Sequence, residues 1–179
     1  MESITNFYQK KFTVISQGQI ENSDNPCTGI SYYALTNIKT LIDLFNSEKE
    51  TEYYQLYESL IKSGINRKNS NPNIPKEGEY LDENTIKKDF KEIFDKISFS
   101  YCYDNNDLID FIKNLDNNST CIVSRGSATF VFVKFNSEEY LVIDSHNMYH
   151  GILSFKNLIK YINFDNLIIG NVEVGFFKI

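Results

Sequence analysis

Asp24-Asn25-Pro26-Cys27-Thr28 begins a long segment in which apolar residues recur at every third or fourth position. That spacing is typical of a helix that buries one face. The residues that carry it are Ile30, Ala34, Ile38, Leu41 and Phe45. Asp24 and Asn25 are of the types that cap helices, and proline suits the first helical position because its missing N–H would be unpaired there. The sequence therefore predicts a central helix with Cys27 in its first turn.

A position in the first turn of a helix would make the thiol of Cys27 more reactive. The helix dipole and the free backbone N–H groups of a first turn favour the thiolate, which is the nucleophilic form of cysteine. The same N–H groups can hold a negatively charged oxygen of a reaction intermediate. A cysteine on a helix is more commonly a small buried apolar residue, so Cys27 needs a partner to be interpreted as a nucleophile.

A second motif lies downstream, where Tyr140-Leu-Val-Ile-Asp144-Ser145-His146 ends an apolar strand. Side chains alternate along a strand, so Asp144 and His146 are expected on one side and Ser145 on the other. Asp144 could then orient His146, which would take the proton of Cys27 and return it to the leaving group. The alternative is a simple turn that leaves the strand, since Asp and Ser bond to their own backbone. The chain has only two histidines, and this placement of one of them favours the catalytic interpretation.

The composition limits the function further. With 179 residues, the chain is expected to form a single domain over residues 1–179. Its 18 basic and 24 acidic residues give a net charge of −6, which argues against nucleic acid as the main partner. Neither a membrane span nor a signal peptide is predicted. Three irregularly spaced cysteines indicate no disulfide framework and no zinc site, so we expect no cofactor or metal and a reducing, cytoplasmic location.

The hydrophobic periodicity predicts helices first and strands later, which is typical of an α+β domain with an antiparallel sheet. Helices are expected over 27–45, 52–65, 82–97, 108–115 and 154–162. Strands are expected over 12–15, 99–103, 120–123, 129–135, 139–143 and 172–178. Residues 16–19 and 66–78 are expected to form a turn and an exposed loop.

These motifs resemble those of the herpesvirus tegument deubiquitinases and their non-herpesviral relatives, which are papain-like cysteine proteases. In that family a glutamine lies upstream of the nucleophilic cysteine, and a strand ends in Asp-Ser-His or Asp-Pro-His. The matching segments are Gln17-Gly18-Gln19, Asn25-Pro26-Cys27-Thr28-Gly29-Ile30, the hairpin Thr129 to Tyr140, Ile143-Asp144-Ser145-His146 and Gly151-Ile152-Leu153. The helical middle, from about Lys49 to Lys96, carries no match.

The resemblance implies a papain-like fold with a central helix packed on an antiparallel sheet. It implies that Cys27 is the nucleophile, His146 the general base and acid, and Asp144 its orienting partner. It also implies that the amide of Gln17 or of Gln19 contributes to the oxyanion hole, and the spacing does not decide between the two.

The implied reaction is hydrolysis of the bond after the C-terminal Gly-Gly of ubiquitin or a ubiquitin-like protein, through a thioester. Ubiquitin or such a modifier is therefore the expected partner. A deamidase, an amidase and an acyltransferase would share the nucleophile and base and remain alternatives, as does a catalytically silent ubiquitin-binding module.

The remaining histidine and cysteines are interpreted as structural. His150 follows His146 by four residues and is expected on the surface or in a loop, without a catalytic role. Cys102 and Cys121 lie within apolar strand patterns and are expected to be buried and inert.

Overall fold

The structure is a computed structural model that describes residues 3–20, 26–70, 83–125, 128–163 and 172–178. A short 3-10 helix, Ile4–Phe7, precedes the first strand. The helices are α1 (Gln17–Ile20), α2 (Cys27–Thr36), α3 (Ile38–Asn46), α4 (Glu50–Ser70), α5 (Glu83–Asp89), α6 (Lys91–Phe94), α7 (Asn105–Asn114) and α8 (Phe155–Ile162). The strands are β1 (Tyr8–Thr13), β2 (Ser98–Cys102), β3 (Ser119–Arg125), β4 (Ala128–Asn136), β5 (Glu139–Ile143), β6 (Tyr149–Leu153) and β7 (Val172–Lys178).

In the described part of the chain the strands form one sheet in the order β1-β6-β5-β4-β3-β7-β2. All neighbouring strands pair antiparallel, which confirms the expected mixture of helices and an antiparallel sheet. Helices cover both faces. Val131 and Val133 of β4 pack with helices α2 to α6, whereas Phe130 and Phe132 pack with α7 and α8. The central strands are therefore buried on both sides.

Two of the predicted helices are each divided into two. The helix expected over 27–45 is interrupted at Asn37, whose side-chain amide donates to the carbonyl oxygen of Tyr33 at 2.8 Å. The helix expected over 82–97 is interrupted at Phe90, which packs against the rings of Tyr32 and Tyr33. The apolar residues on both sides of each break still pack in the core. This is why the hydrophobic pattern of the sequence runs through both breaks.

Several other boundaries also differ from the expectation. Helix α4 continues to Ser70, so the loop predicted from residue 66 begins later, and residues 71–78 lie outside the described residues. The turn predicted at 16–19 is the short helix α1. Strand β1 begins at Tyr8 and ends at Thr13, earlier than the expected 12–15.

The main error of the prediction is strand β6, for which the sequence predicted no strand and placed His150 on the surface or in a loop. It pairs with β5 on one side and β1 on the other. Gly151 makes the second pairing possible, because a Cβ at this residue would lie 2.1 Å from the carbonyl oxygen of Lys10. As a result His150 is fully buried within the sheet, and the prediction of a surface or loop histidine was wrong. Cys102 and Cys121 are buried, as expected.

Helix α2 is held between the sheet and α4. Ser31 Oγ donates to the carbonyl oxygen of Thr129 at 3.3 Å, and the hydroxyls of Thr28 and Thr129 are 3.1 Å apart. On its other side Gly64 of α4 allows close contact with Ile30 of α2. These contacts fix the first turn of α2 over the sheet.

We predict that Gly64→Ala destabilises the protein, because the new Cβ would lie 2.4 Å from Ile30 Cγ1 and 3.0 Å from Ile30 N. Overpacking of this kind costs about 1–3 kcal/mol, partly offset by the roughly 1 kcal/mol that alanine gains over glycine in a helix. Urea unfolding measures the change. Gly18→Ala is the control, since a Cβ there meets nothing within 4 Å. Equal stability of the two variants would contradict the close packing of α2 on α4.

Candidate active site

Cys27 is the first residue of α2, and its side chain is buried. Pro26, which was expected to be the first helical residue, is instead the N-cap. Its carbonyl oxygen accepts from Ile30 N at 3.0 Å. The expected caps Asp24 and Asn25 lie outside the described residues. Cys27 is therefore in the turn whose backbone N–H groups have no acceptor within the helix.

His146 lies between Asp144 and Cys27. Its Nδ1 is 2.7 Å from Asp144 Oδ1, and its imidazole also hydrogen-bonds to the side chain of Cys27. Because Nδ1 is engaged by the carboxylate, Nε2 is the nitrogen that faces the sulfur. The structure thus brings together Cys27, Asp144 and His146 from α2 and from the segment after β5.

A turn, not the alternation of a strand, brings Asp144 and His146 together. Strand β5 ends at Ile143, and the backbone N–H of Asn147 donates to the carbonyl oxygen of Asp144 at 3.2 Å. Asp144 Oδ1 accepts from the backbone N–H of His146 at 2.9 Å as well as from its ring. The turn alternative and the Asp–His pairing are therefore both present, and the expected projection of both side chains from one strand face was wrong.

The second carboxylate oxygen of Asp144 has partners that the sequence did not indicate. Oδ2 accepts from the hydroxyl of Tyr161 at 2.6 Å and from Asn147 Nδ2 at 3.5 Å. Asn147 Nδ2 also donates to the hydroxyl of Tyr161, which in turn hydrogen-bonds to Tyr8. Tyr161 is on the apolar stripe of α8, where a tyrosine is indistinguishable from an ordinary core residue.

The charges of this group follow from these contacts. Burial alone would raise the pKa of Asp144, but the hydrogen bonds from His146 and Tyr161 and the charge of His146 lower it below its usual value. Burial alone would lower the pKa of His146, but hydrogen bonds to Asp144 and Cys27 and their charges raise it to about 10. At neutral pH the carboxylate is ionised and the imidazole is protonated.

The two candidate glutamines have different environments. Gln17 is tied to the turn that carries Asp144 and His146: its backbone N–H donates to the carbonyl oxygen of Ser145 at 2.7 Å, and its Oε1 accepts from Ser145 Oγ at 2.6 Å. Gln19 is exposed, and its Oε1 accepts from the backbone N–H of Ser16 at 2.9 Å. Gln17 is therefore bound to the turn that carries Asp144 and His146, whereas the side chain of Gln19 caps the N-terminus of α1.

A groove of about 390 Å³ has Thr28, the residue after Cys27, among its lining residues. Its walls carry the aromatic rings of Tyr32, Phe94, Phe99 and Tyr101 and the carboxylate of Glu173. Phe99 and Tyr101 belong to the edge strand β2 and are 40% and 55% exposed. The groove is thus mostly apolar, carries one acid, and lies between helices α2, α5 and α6 and strands β2, β3, β4 and β7.

Neither a metal-binding cluster nor a membrane-spanning helix is found in the described part of the chain. Within the described ranges, no three His, Cys, Asp or Glu residues are grouped so that they could hold a metal ion. Among the helices of those same ranges, none combines the length and the apolar character needed to cross a membrane.

Comparison with known proteins gives a likeness in structure but not in sequence. No family model matches the sequence, and no curated protein matches it either. The chain is similar to the crystal structure of a ubiquitin-specific protease encoded by a murine cytomegalovirus tegument protein, in complex with a ubiquitin-based suicide substrate. The TM-score is 0.56 at 11% identity, over 96% of this chain and 88% of that one. The likeness is therefore one of fold.

We predict that Tyr161→Phe weakens the fold because it removes a hydrogen bond to the charged Asp144 while keeping the ring against Phe130. Such bonds contribute about 1.5–3 kcal/mol. Asp144 has a lowered pKa, so its contribution is present above the unfolded value of about 3.9 and is lost as the pH falls through the folded value. The difference from wild type in urea unfolding should therefore shrink at acidic pH.

The control for this prediction is Tyr140→Phe. Tyr140 is also buried, but its hydroxyl donates to the neutral carbonyl oxygen of Ser137 at 3.2 Å. Its loss should cost about 1 kcal/mol and should not depend on pH in this range. A pH-independent loss for Tyr161→Phe would show that its hydroxyl does not stabilise the ionised form of Asp144.

Proposed function

We propose that the chain is a papain-like cysteine protease of the deubiquitinase type. It would cleave the isopeptide or peptide bond after the C-terminal Gly-Gly of ubiquitin or a ubiquitin-like protein. The observation that supports this most is the hydrogen-bonded series of Cys27, His146 and Asp144 at the start of a helix packed on the sheet. The likeness of the fold to a viral ubiquitin-specific protease supports it independently of any sequence motif.

In the proposed reaction the sulfur of Cys27, as a thiolate beside the protonated His146, attacks the carbonyl carbon of the substrate. The new C–S bond moves an electron pair onto the carbonyl oxygen. As that pair returns, the C–N bond breaks and His146 gives its proton to the departing amine. Water then attacks the thioester with His146 as base, which releases the carboxylate of the modifier and restores Cys27.

Asp144 has an orienting role in this mechanism. Its Oδ1 holds Nδ1 of His146, so that Nε2 faces the sulfur, and its charge stabilises the imidazolium. The side chain of His146 is 37% exposed and that of Asp144 is 9% exposed. A substrate can therefore reach the proton donor, while the carboxylate that orients it is shielded from water.

Gln17 is the better candidate for the side-chain donor of the oxyanion hole. Its Oε1 is engaged by Ser145, so the amide is fixed on the turn next to His146, and the group it can donate from is Nε2. The backbone N–H groups in the first turn of α2 would be the second source of donors. Gln19 is occupied in capping α1 and has no such link to the turn.

The groove lined by Thr28 would hold the C-terminal tail of the ubiquitin or ubiquitin-like substrate. Its aromatic walls suit apolar side chains, and Glu173 suits a basic one, as in a tail that carries arginines. The net charge of −6 also favours a basic segment over an acidic one. The structural neighbour was crystallised with a ubiquitin-based suicide substrate, and ubiquitin is accordingly the first modifier to test.

We predict that the protein forms a covalent adduct with ubiquitin, or a ubiquitin-like protein, that carries an electrophile at its C-terminus. The adduct should form on Cys27, because its thiol hydrogen-bonds to His146, whereas burial raises the pKa of the Cys102 and Cys121 thiols and disfavours their thiolates. Intact mass and peptide mapping identify the modified residue. Cys27→Ala should give no adduct and should unfold at nearly the same urea concentration as the wild type.

Three outcomes of the probe experiment separate the alternatives. Labelling of Cys102 or Cys121 in Cys27→Ala would remove Cys27 as the nucleophile. Binding of a modifier without any adduct would indicate a catalytically silent module. Reaction with a simple thiol reagent at Cys27 but with no modifier would favour a deamidase, an amidase or an acyltransferase.

We predict different effects for the two glutamines. Gln17→Glu keeps an acceptor for Ser145 Oγ but removes the Nε2 donor, so turnover of a ubiquitin amide substrate should fall by about 10²–10³. The control, Gln19→Glu, keeps the acceptor for Ser16 and should retain nearly wild-type turnover. Substrate affinity should change little in either variant. Equal and small effects would mean that backbone N–H groups hold the oxyanion alone.

A further inference from the structure

His150 is a buried polar residue for which the proposed mechanism has no use. Its ring lies in the sheet, with Nδ1 2.8 Å from the hydroxyl of Tyr53 and Nε2 3.2 Å from the backbone nitrogen of Asp144. Nε2 is also 3.1 Å from the carbonyl oxygen of Asp144. One edge of the imidazole therefore faces α4, and the other faces the main chain of the residue that orients His146.

The position of Asp144 in the sheet explains why this contact is needed. The pairing of β5 with β6 reaches Val142 and Gly151, and β5 ends at Ile143. Asp144 is thus beyond the last pair of this ladder while still buried. The carbonyl oxygen of Asp144 already accepts from Asn147 N–H, so the main-chain group that needs a partner is the buried N–H of Asp144. The ring of His150 accepts from it in place of the missing strand.

The surroundings of His150 keep it uncharged. Burial lowers its pKa to about 4, although its hydrogen bond to the backbone of Asp144 and the charge of that residue act in the opposite direction. The other titratable groups that face it are Tyr53 and Tyr57 of α4, whose burial raises the pKa of both hydroxyls. A neutral imidazole has one donor and one acceptor. In either tautomer Nε2 bonds to one main-chain group of Asp144 and Nδ1 bonds to Tyr53.

Helix α4 contacts both halves of the candidate site. Through Gly64 it packs closely on Ile30 of α2, one turn after Cys27, and through Tyr53 and His150 it reaches Asp144. Its N-terminal Glu50 also accepts from the backbone N–H of Thr13 at 2.9 Å. Helix α4 thus links the helix that carries Cys27 to the main chain of Asp144, in addition to the contacts that α2 makes with the sheet.

We propose that His150 and Tyr53 are positioning residues that hold the main chain of Asp144, so that its carboxylate meets His146 in register with Cys27. The proposal rests on the proposed cysteine protease chemistry for its kinetic consequence. It adds a role to the second histidine and assigns to α4 the alignment of the acid with the nucleophile.

Tyr53→Phe is the most direct test, because it removes one oxygen and keeps the ring packed against Phe12 and Phe45. We expect kcat for a ubiquitin amide substrate to fall by up to about a hundredfold, as for a misplacement of about 1 Å, with KM nearly unchanged. Tyr140→Phe is the matched control. It loses one tyrosine hydrogen bond, a partly buried one in β5, and it should lower the melting temperature without changing kcat.

A second readout does not depend on activity. The chain has only two histidines, so ¹⁵N labelling of histidine gives two sets of ring signals. In the wild type one ring should remain neutral down to about pH 4 and the other protonated up to about pH 10. Tyr53→Phe should shift the signals of His146 as well as those of His150, whereas Tyr140→Phe should shift neither.

The variants of His150 itself extend the test. The amide of His150→Gln offers a donor and an acceptor near the position of Nε2, so it should retain more activity than His150→Leu, which offers neither. Unchanged kcat and unchanged His146 signals in Tyr53→Phe, with only a lower melting temperature, would overturn the proposal. Failure of the wild type to react with any modifier would instead refute the proposed function, and the His146 signals would still decide the positioning role.

Discussion

The buried carboxylate of Asp144 is the group on which the candidate site depends. A buried charge is costly unless it is paired and hydrogen-bonded, and Asp144 meets this requirement from several elements. His146 and Asn147 come from its own turn, and Tyr161 comes from α8. His150 of β6 holds its main chain. These hydrogen bonds fix the residue that follows β5, because an unpaired charge at this buried position would be strongly unfavourable.

The three-layer arrangement gives both faces of the sheet a part in this site. Cys27 and the Tyr53–His150 link belong to the face covered by α2 to α6, whereas Tyr161 packs with α7 and α8 on the opposite face. Asp144 lies at the end of a central strand and is reached from both. Cys27 and Asp144 are therefore brought to the same His146 only when both helical layers are packed on the sheet.

The sequence was sufficient where the information was local and insufficient where it was not. Cys27, Asp144 and His146 stand in short motifs, and β4 and β5 are apolar runs rich in Val, Ile and aromatic residues. Strand β6 was missed because His150 and Gly151 interrupt its apolar run, whereas β4 and β5, which are equally buried on both faces, are nearly continuous apolar runs. Tyr161 was missed because its periodicity is that of a core residue. Gln17 and Gln19 belong to one short helix, and only the contact with Ser145 separates them.

The environments of the two histidines shift the pKa of the imidazole in opposite directions. His146 has a pKa raised to about 10, so its contribution to stability is complete below the unfolded value of 6.5 and is lost as the pH rises toward 10. His150 has a pKa lowered to about 4, so unfolding takes up a proton below pH 6.5, and stability decreases as the pH falls toward 4. With respect to these two residues the fold is most stable near pH 6.5. At that pH the charged imidazole of His146 faces Cys27, and the neutral imidazole of His150 hydrogen-bonds to the backbone of Asp144.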